Sequence, residues 1–264
     1  MTPQDHWIAT PAGRLFARSW QPAAAGAAAP LLLQHDSLGC VELWRDFPAA
    51  LAGATGRRVL AYDRLGFGRS DPRAGALPPD FVAREAREQV PLVLQALAVD
   101  RFVALGHSVG GGMSVETAAA HPARCTALVT ISAQAFAEDR TLAGVRAARE
   151  VFRQPDQLDR LARYHGAKAR WVLDAWTETW LSPAFAGWTL DAALARLGCP
   201  VLAIHGDRDE YGSTAHPQRI AARAAGPVQQ LVVEGGGHLP HREQPERVLA
   251  AVARFLAGPR ISTC

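Results

Sequence analysis

The sequence predicts an α/β protein: a mostly parallel sheet of eight strands with helices on both faces. Three observations carry that expectation. Short apolar runs alternate with amphipathic segments along most of the chain, the pattern of repeated strand–helix–strand crossovers. Two runs near the N-terminus are separated only by a Pro-Ala-Gly turn, which predicts an antiparallel hairpin at one edge. The chain has 264 residues, enough to bury one large core of this kind.

Taken in order, residues 5–9 and 14–20 form the predicted hairpin around Pro11-Ala12-Gly13, and an Ala/Gly/Pro stretch at 22–30 is a flexible connection. The remaining strands are expected at Leu31–His35, Arg58–Tyr62, Phe102–Leu105, Ala127–Ile131, Val201–His205 and Gln230–Val233. Helices are expected near 42–54, 80–98, 109–120, 213–224 and 244–256. The rhythm breaks once. About seventy residues separate Ile131 from Val201, far more than one crossover needs, and Trp171, Trp176 and Trp180 fall inside, with Trp188 at the edge. Residues 137–187 are therefore expected as a helical cap insertion over a core of 1–136 and 188–264, in a single structural unit.

Composition excludes several classes. The chain is 48% hydrophobic and 20% charged with a net charge of +3, too small and too dispersed for a nucleic-acid binder. No apolar run approaches the roughly 18 residues of a membrane helix. The start M-T-P-Q-D-H-W-I lacks the basic and apolar regions of a secretion signal. Cys40, Cys125, Cys199 and Cys264 are scattered, with no C-x-x-C pair, so free buried thiols in a reducing, cytoplasmic setting are expected, without metal or cofactor.

The most informative stretch is Gly106-His107-Ser108-Val109-Gly110, lying between a predicted strand and a predicted helix. A side chain at such a tight turn is forced into the open, and its neighbours must be small. The helix that follows points its positive end at the site, so the Val109 amide would face a developing anion. A serine hydroxyl needs a base, and the base needs an orienting acid. His238, in G-G-G-H-L-P after the last strand, is the expected base. His241 is its rival, expected instead as a solvated turn residue. His107 is expected to pack, because adjacent side chains point apart, and His35 and His205 to be structural. The loop after Val201–His205 offers Asp207, Asp209 and Glu210. Asp209 is the expected acid and Asp207 the expected turn residue, because Gly206 turns the chain and Asp209 can reach inward. The loop after Ile131 has no carboxylate before Glu138.

Ser108, Asp209 and His238, in that chain order around G-H-S-V-G, resemble the α/β-hydrolase fold superfamily. L-L-L-Q-H-D-S-L-G resembles its first oxyanion loop, Y-D-R-L-G-F-G-R-S-D its D-x-x-G-x-G-x-S turn, and G-G-G-H-L-P-H-R-E-Q-P-E-R-V its histidine loop and closing helix. The matches span about residues 31–255. The H-D-S-L-G loop and small cap are similar to 3-oxoadipate enol-lactonase-like members and other small-molecule esterases. The resemblance implies a cofactor-independent serine hydrolase acting on a small ester or lactone as a monomer or homodimer. It also implies an oxyanion site at the amides of Ser37 and Val109. Gln134, Trp171, Trp176 and Trp180 are the expected pocket residues. C–C bond hydrolysis, perhydrolysis, a lyase or a non-catalytic ligand-binding protein are the alternatives on the same fold, while a dehalogenase or epoxide hydrolase would resemble it with aspartate at position 108. One departure stands out. Asp36 occupies the place of the usual glycine beside the oxyanion loop, and it is expected to turn away or be held by backbone amides.

Overall fold

The computed structural model describes residues 2–22, 26 and 28–258. Part of the expected 22–30 connection, and Cys264, lie outside the described residues.

Strands β1 (Gln4–Thr10) and β2 (Gly13–Trp20) pair antiparallel, and β2 joins β4 (Val59–Tyr62) antiparallel. From there the sheet is parallel through β3 (Leu31–Gln34), β5 (Phe102–His107), β6 (Cys125–Ile131), β7 (Val201–Gly206) and β8 (Val228–Val233), in the spatial order β1-β2-β4-β3-β5-β6-β7-β8. Every residue of β3, β4, β5 and β7 is buried, which is why these strands read as unbroken apolar runs: both faces are covered. One apolar core forms on each side of the sheet, with Leu32, Leu60 and Ala104 facing one and Leu31, Leu33 and Leu105 the other. Those two sets of alternate positions follow from the two-residue period of a strand.

The helices depart from expectation where proline intervenes. The predicted 42–54 helix is split into a 3₁₀ turn at Val41–Trp44 and helix α1 (Phe47–Thr55), with Arg45 at φ 53° between them. Pro48 lacks an N–H and so belongs in a first turn, not mid-helix. The predicted 80–98 helix runs from α2 (Phe81–Arg84) through a π turn at Glu85–Gln89 into α3 (Val90–Ala96), where Pro91 again falls in the first turn. Helix α4 (Val109–Ala120) follows β5 directly. Strand β5 runs two residues beyond the expected Leu105, because Gly106 and His107 pair with Thr130 and Ile131 of β6.

Between β6 and β7 come α5 (Asp139–Val151), α6 (Pro155–His165), α7 (Ala169–Trp180) and α8 (Asp191–Leu194). The two ends of this segment meet in an antiparallel bridge between Phe136 and Thr189. Helix α9 (Ala215–Arg223) links β7 to β8, and α10 (Pro240–Glu243) and α11 (Pro245–Ala257) close the chain. The 63–71 segment is a structural turn. The Asp63 carboxylate accepts the amides of Val41 at 2.6 Å and Arg69 at 2.7 Å, and Lys168 caps the turn through the carbonyls of Gly68 and Ser70. Cys40 and Cys125 are buried free thiols, whereas Cys199 is only half-buried. Among the described residues, no helix is long and apolar enough to cross a membrane.

Candidate functional site

Ser108 lies at the turn from β5 to α4 with φ 56° and ψ −127°, a left-handed-side backbone that costs a non-glycine residue of order 1–3 kcal/mol. The glycines on either side are required by contact. A β-carbon on Gly106 would collide with the Gly110 carbonyl, and one on Gly110 with the Gln34 carbonyl. The close approach of α4 to β5 and β3 therefore depends on the two glycines that bracket Ser108.

The strand ends bring Ser108, Asp209 and His238 together. His238 donates from Nδ1 to Asp209, 2.8 Å from Oδ2 and 2.9 Å from Oδ1. The Asp209 side chain is fully buried and also accepts the Tyr211 amide at 2.7 Å, while His205 Nε2 lies 3.4 Å from Oδ2. Burial alone would raise its carboxyl. The hydrogen bond and charge of His238, then the charge of His205 and the Tyr211 amide, outweigh it, so Asp209 lies below the ordinary carboxylate range. Asp207 is turned outward and accepts the Gly235 amide at 2.7 Å. The His238 loop is tied to α10. The Glu243 carboxylate accepts the amides of Gly237 at 2.6 Å and Leu239 at 3.2 Å.

Ser108 and His238 both face a cavity of about 320 Å³ that Gln134, Trp176, Trp180 and Tyr211 also line. The Ser108 hydroxyl donates to Gln134 Oε1 at 3.3 Å, and among the described residues it makes no hydrogen bond to His238. The amides of Ser37, which lines the cavity, and of Val109, the first residue of α4 next to Ser108, donate to no group among the described residues. Also among the described residues, no group of three or more His, Cys, Asp or Glu side chains converges as a metal site.

Trp171 is a correction to the expected pocket. It packs edge-on against Phe67, donates its Nε1 to the Gly75 carbonyl at 2.9 Å, and does not line the cavity. Trp176 and Trp180 are four apart on α7 and share a face, whereas Trp171, five before Trp176, points elsewhere. His241 is a second correction. It is 3% exposed and wedged among Trp44, Phe47 and His107, where α10 buries Pro240 and His241. His107 is a third. It does not simply pack, since its ring joins Asp36 to the His238 carbonyl. Tyr211 was missed. Its ring lies 4.9 Å from that of His238 and 5.8 Å from that of Trp176, and only its place after Asp209 hinted at this.

A model of the α/β hydrolase fold matches residues 29–190. The chain belongs to the α/β hydrolase fold family. It is 29% identical to a human serine hydrolase over 188 residues, covering 69% of this chain and 63% of that one. It is 35% identical over 113 residues to a Mycobacterium phage D29 protein named as a non-heme haloperoxidase, covering 43% of this chain and 39% of the relative. In both cases the match spans less than two thirds of the relative. A carboxylesterase structure from Bacillus subtilis superimposes with a TM-score of 0.70 at 24% identity, over 98% of this chain and 93% of that one, a likeness of fold.

Proposed function

We propose that this α/β hydrolase is a cofactor-independent serine hydrolase that cleaves a small carboxylic ester or lactone through an acyl-enzyme on Ser108. The observation that carries the reading is that His238, held by the buried Asp209, faces the same cavity as Ser108, with the unengaged amides of Ser37 and Val109 near that serine. The 29% identity to a human serine hydrolase supports it.

In the proposed mechanism, Ser108 Oγ leaves Gln134 for His238 Nε2 and attacks the acyl carbon as His238 takes its proton. Asp209 holds the imidazole through Nδ1 and balances the charge it acquires. The Ser37 and Val109 amides receive the oxyanion, an effect of about 3 kcal/mol per donor. His238 protonates the leaving alcohol, and the reverse sequence with water releases the acid and restores the serine. Residues 137–187 act as a cap that shapes the pocket through Trp176 and Trp180, with Gln134 in the wall nearest Ser108.

The test is a panel of p-nitrophenyl esters of increasing chain length, with lactones and an enol-lactone, run alongside a fluorophosphonate probe. One label per chain, lost in Ser108→Ala together with ester turnover, is the expected result. Labelling that survives in Ser108→Ala would remove Ser108 from the mechanism. The phage relative's name favours one second reading, perhydrolysis, in which hydrogen peroxide replaces water and the acyl group leaves as a peracid. Bromide-dependent dye bromination with acetate and peroxide separates the two.

A further inference from the structure

His107 ends β5, one residue before Ser108, and both of its ring nitrogens face oxygen. Nε2 lies 2.8 Å from the carbonyl oxygen of His238, and Nδ1 lies 3.2 Å from Oδ2 of Asp36. A carbonyl oxygen only accepts, so Nε2 carries a proton. A bare lone pair on Nδ1 would repel a carboxylate at that distance, so a second proton lies between Nδ1 and Asp36. Whichever of the two holds it, the pair has no net charge.

That neutrality matters at both ends. Asp36 precedes Ser37, whose amide is the proposed oxyanion donor, and an unbalanced carboxylate there would oppose the charge the site must hold. The His107 ring lies 4.9 Å from the ring of His238, and an unbalanced cation there would oppose the proton His238 must accept. The same ring ties three chain segments together: the turn carrying Ser108, the loop carrying Ser37 and the loop carrying His238. The rings of Trp44 and His241 flank it, with centroids 6.4 Å and 4.7 Å away. Asp36 is further fixed by the Leu38 amide, which donates to Oδ1 at 2.9 Å.

We propose that His107 is a positioning residue for the reaction, and that with Asp36 it forms a net-neutral bridge that locks the oxyanion loop to the His238 loop and cancels the acidic charge beside it. The inference rests on the serine hydrolase reading above. It also accounts for an aspartate at a place where glycine is usual, since the partner that makes the aspartate tolerable is present. Burial would raise the Asp36 carboxyl. The hydrogen bond and charge of His107, followed by His35 and the Leu38 amide, instead hold it well below the usual carboxylate range.

The test is a double-mutant cycle of His107→Gln and Asp36→Asn, with kcat and KM measured on a p-nitrophenyl acetate substrate. His107→Gln removes the cation that is hydrogen-bonded to the Asp36 carboxylate and leaves only the charges of Arg64 and Arg242 acting on it, and kcat is expected to fall by about 100-fold with little change in KM. Adding Asp36→Asn to that variant should recover about tenfold, although Asp36→Asn alone lowers kcat. A folded double variant no faster than His107→Gln, or a His107→Gln variant with the wild-type kcat, would overturn the proposal. A second cycle, on thermal unfolding midpoints, reads the pair without substrate. The two single losses should together exceed the loss in the double variant, and simple additivity would overturn the bridge. If the wild-type protein turns over no ester and takes no fluorophosphonate label, the hydrolase reading fails by itself, and the unfolding cycle still decides whether the bridge exists.

Discussion

The imidazole of His238 faces the carboxylate of Asp209 almost symmetrically, 2.8 Å from one oxygen and 2.9 Å from the other. Asp207, two residues earlier on the same loop, instead engages the Gly235 amide in the open. The two aspartates therefore separate by experiment. Asp209→Asn keeps the shape but can present an amide N–H to Nδ1, which favours the wrong tautomer. A drop in kcat of about 10⁴-fold with the fold intact is expected. Asp207→Asn should lower kcat by less than about tenfold, because it perturbs only a turn hydrogen bond. Steady-state kinetics on both variants check this, and the reverse ranking would move the acid to Asp207.

The glycines of α4 and its approach are not equivalent, which predicts opposite signs for similar substitutions. Gly106→Ala places a methyl group against the Gly110 carbonyl, backbone against backbone with nothing free to move. Destabilisation by more than about 3 kcal/mol is expected. Gly112→Ala meets only ordinary contacts, the nearest being Val82 at 3.5 Å, and lies inside the helix. It should stabilise the protein by about 0.5–1 kcal/mol through helix propensity. Urea unfolding midpoints decide both.

Much of this architecture was legible because burial leaves a simple mark on sequence. Strands such as Leu31–Gln34 and Val59–Tyr62 are covered on both faces, so they read as short unbroken apolar runs. Ser108, Asp209 and His238 were readable as candidates because glycines at the loops after β5, β7 and β8 mark where the backbone must turn, and the fold brings those loops to one cavity. What was illegible depends on contacts between distant segments. The role of His107 needs Asp36, 71 residues away, and the His238 carbonyl, 131 residues away. The local sequence carries only the information that its side chain points away from Ser108. The place of Trp171 is not legible because composition shows that the segment between β6 and β7 is rich in tryptophan but not which helix face each one occupies.

The three tryptophans of α7 should respond differently to truncation. Trp176 lines the cavity beside Tyr211 and is only partly buried, so Trp176→Ala should shift ester chain-length preference, by about 1–3 kcal/mol for each methylene the altered pocket admits or excludes. Trp180 is 3% exposed and packs on Phe185 at 5.0 Å and Trp188 at 5.7 Å. Trp180→Ala should cost about 3–5 kcal/mol of stability in addition to any change in preference. Trp171→Ala should leave the preference unchanged. Relative kcat/KM across acetate, butyrate and octanoate esters, with unfolding midpoints, checks all three. An equal loss on every ester in folded Trp176→Ala would show that α7 takes part in the chemistry.

His165, at the end of α6, joins that helix to the loop that carries Ser37, and it does so only when neutral. Its Nδ1 accepts the Gly68 amide at 2.8 Å, and its Nε2 donates to the Leu38 carbonyl at 3.0 Å. Protonating Nδ1 would break the first bond. Burial, assisted by the charge of Lys168, lowers this histidine from the ordinary 6.5 to about 4. Between those values the unfolded chain binds more protons than the folded one, so stability rises with pH across the window. The contribution is fully present above pH 6.5 and is lost as the pH falls toward 4, with a ceiling of about 3 kcal/mol. Asp63 opposes it, since burial raises its carboxyl from 3.8 to about 6 and its ionisation weakens the fold as pH rises across that overlapping range. His216, also lowered to about 4, acts with His165. A wild-type pH profile therefore mixes these with other shifted groups, His35, His205 and His241 among them, but the difference between wild type and His165→Asn removes the shared contributions. That difference in unfolding free energy should be largest above pH 6.5 and shrink steadily on acidification to pH 4. A difference that stays constant with pH would mean that His165 does not titrate in the folded state as its hydrogen bonds require.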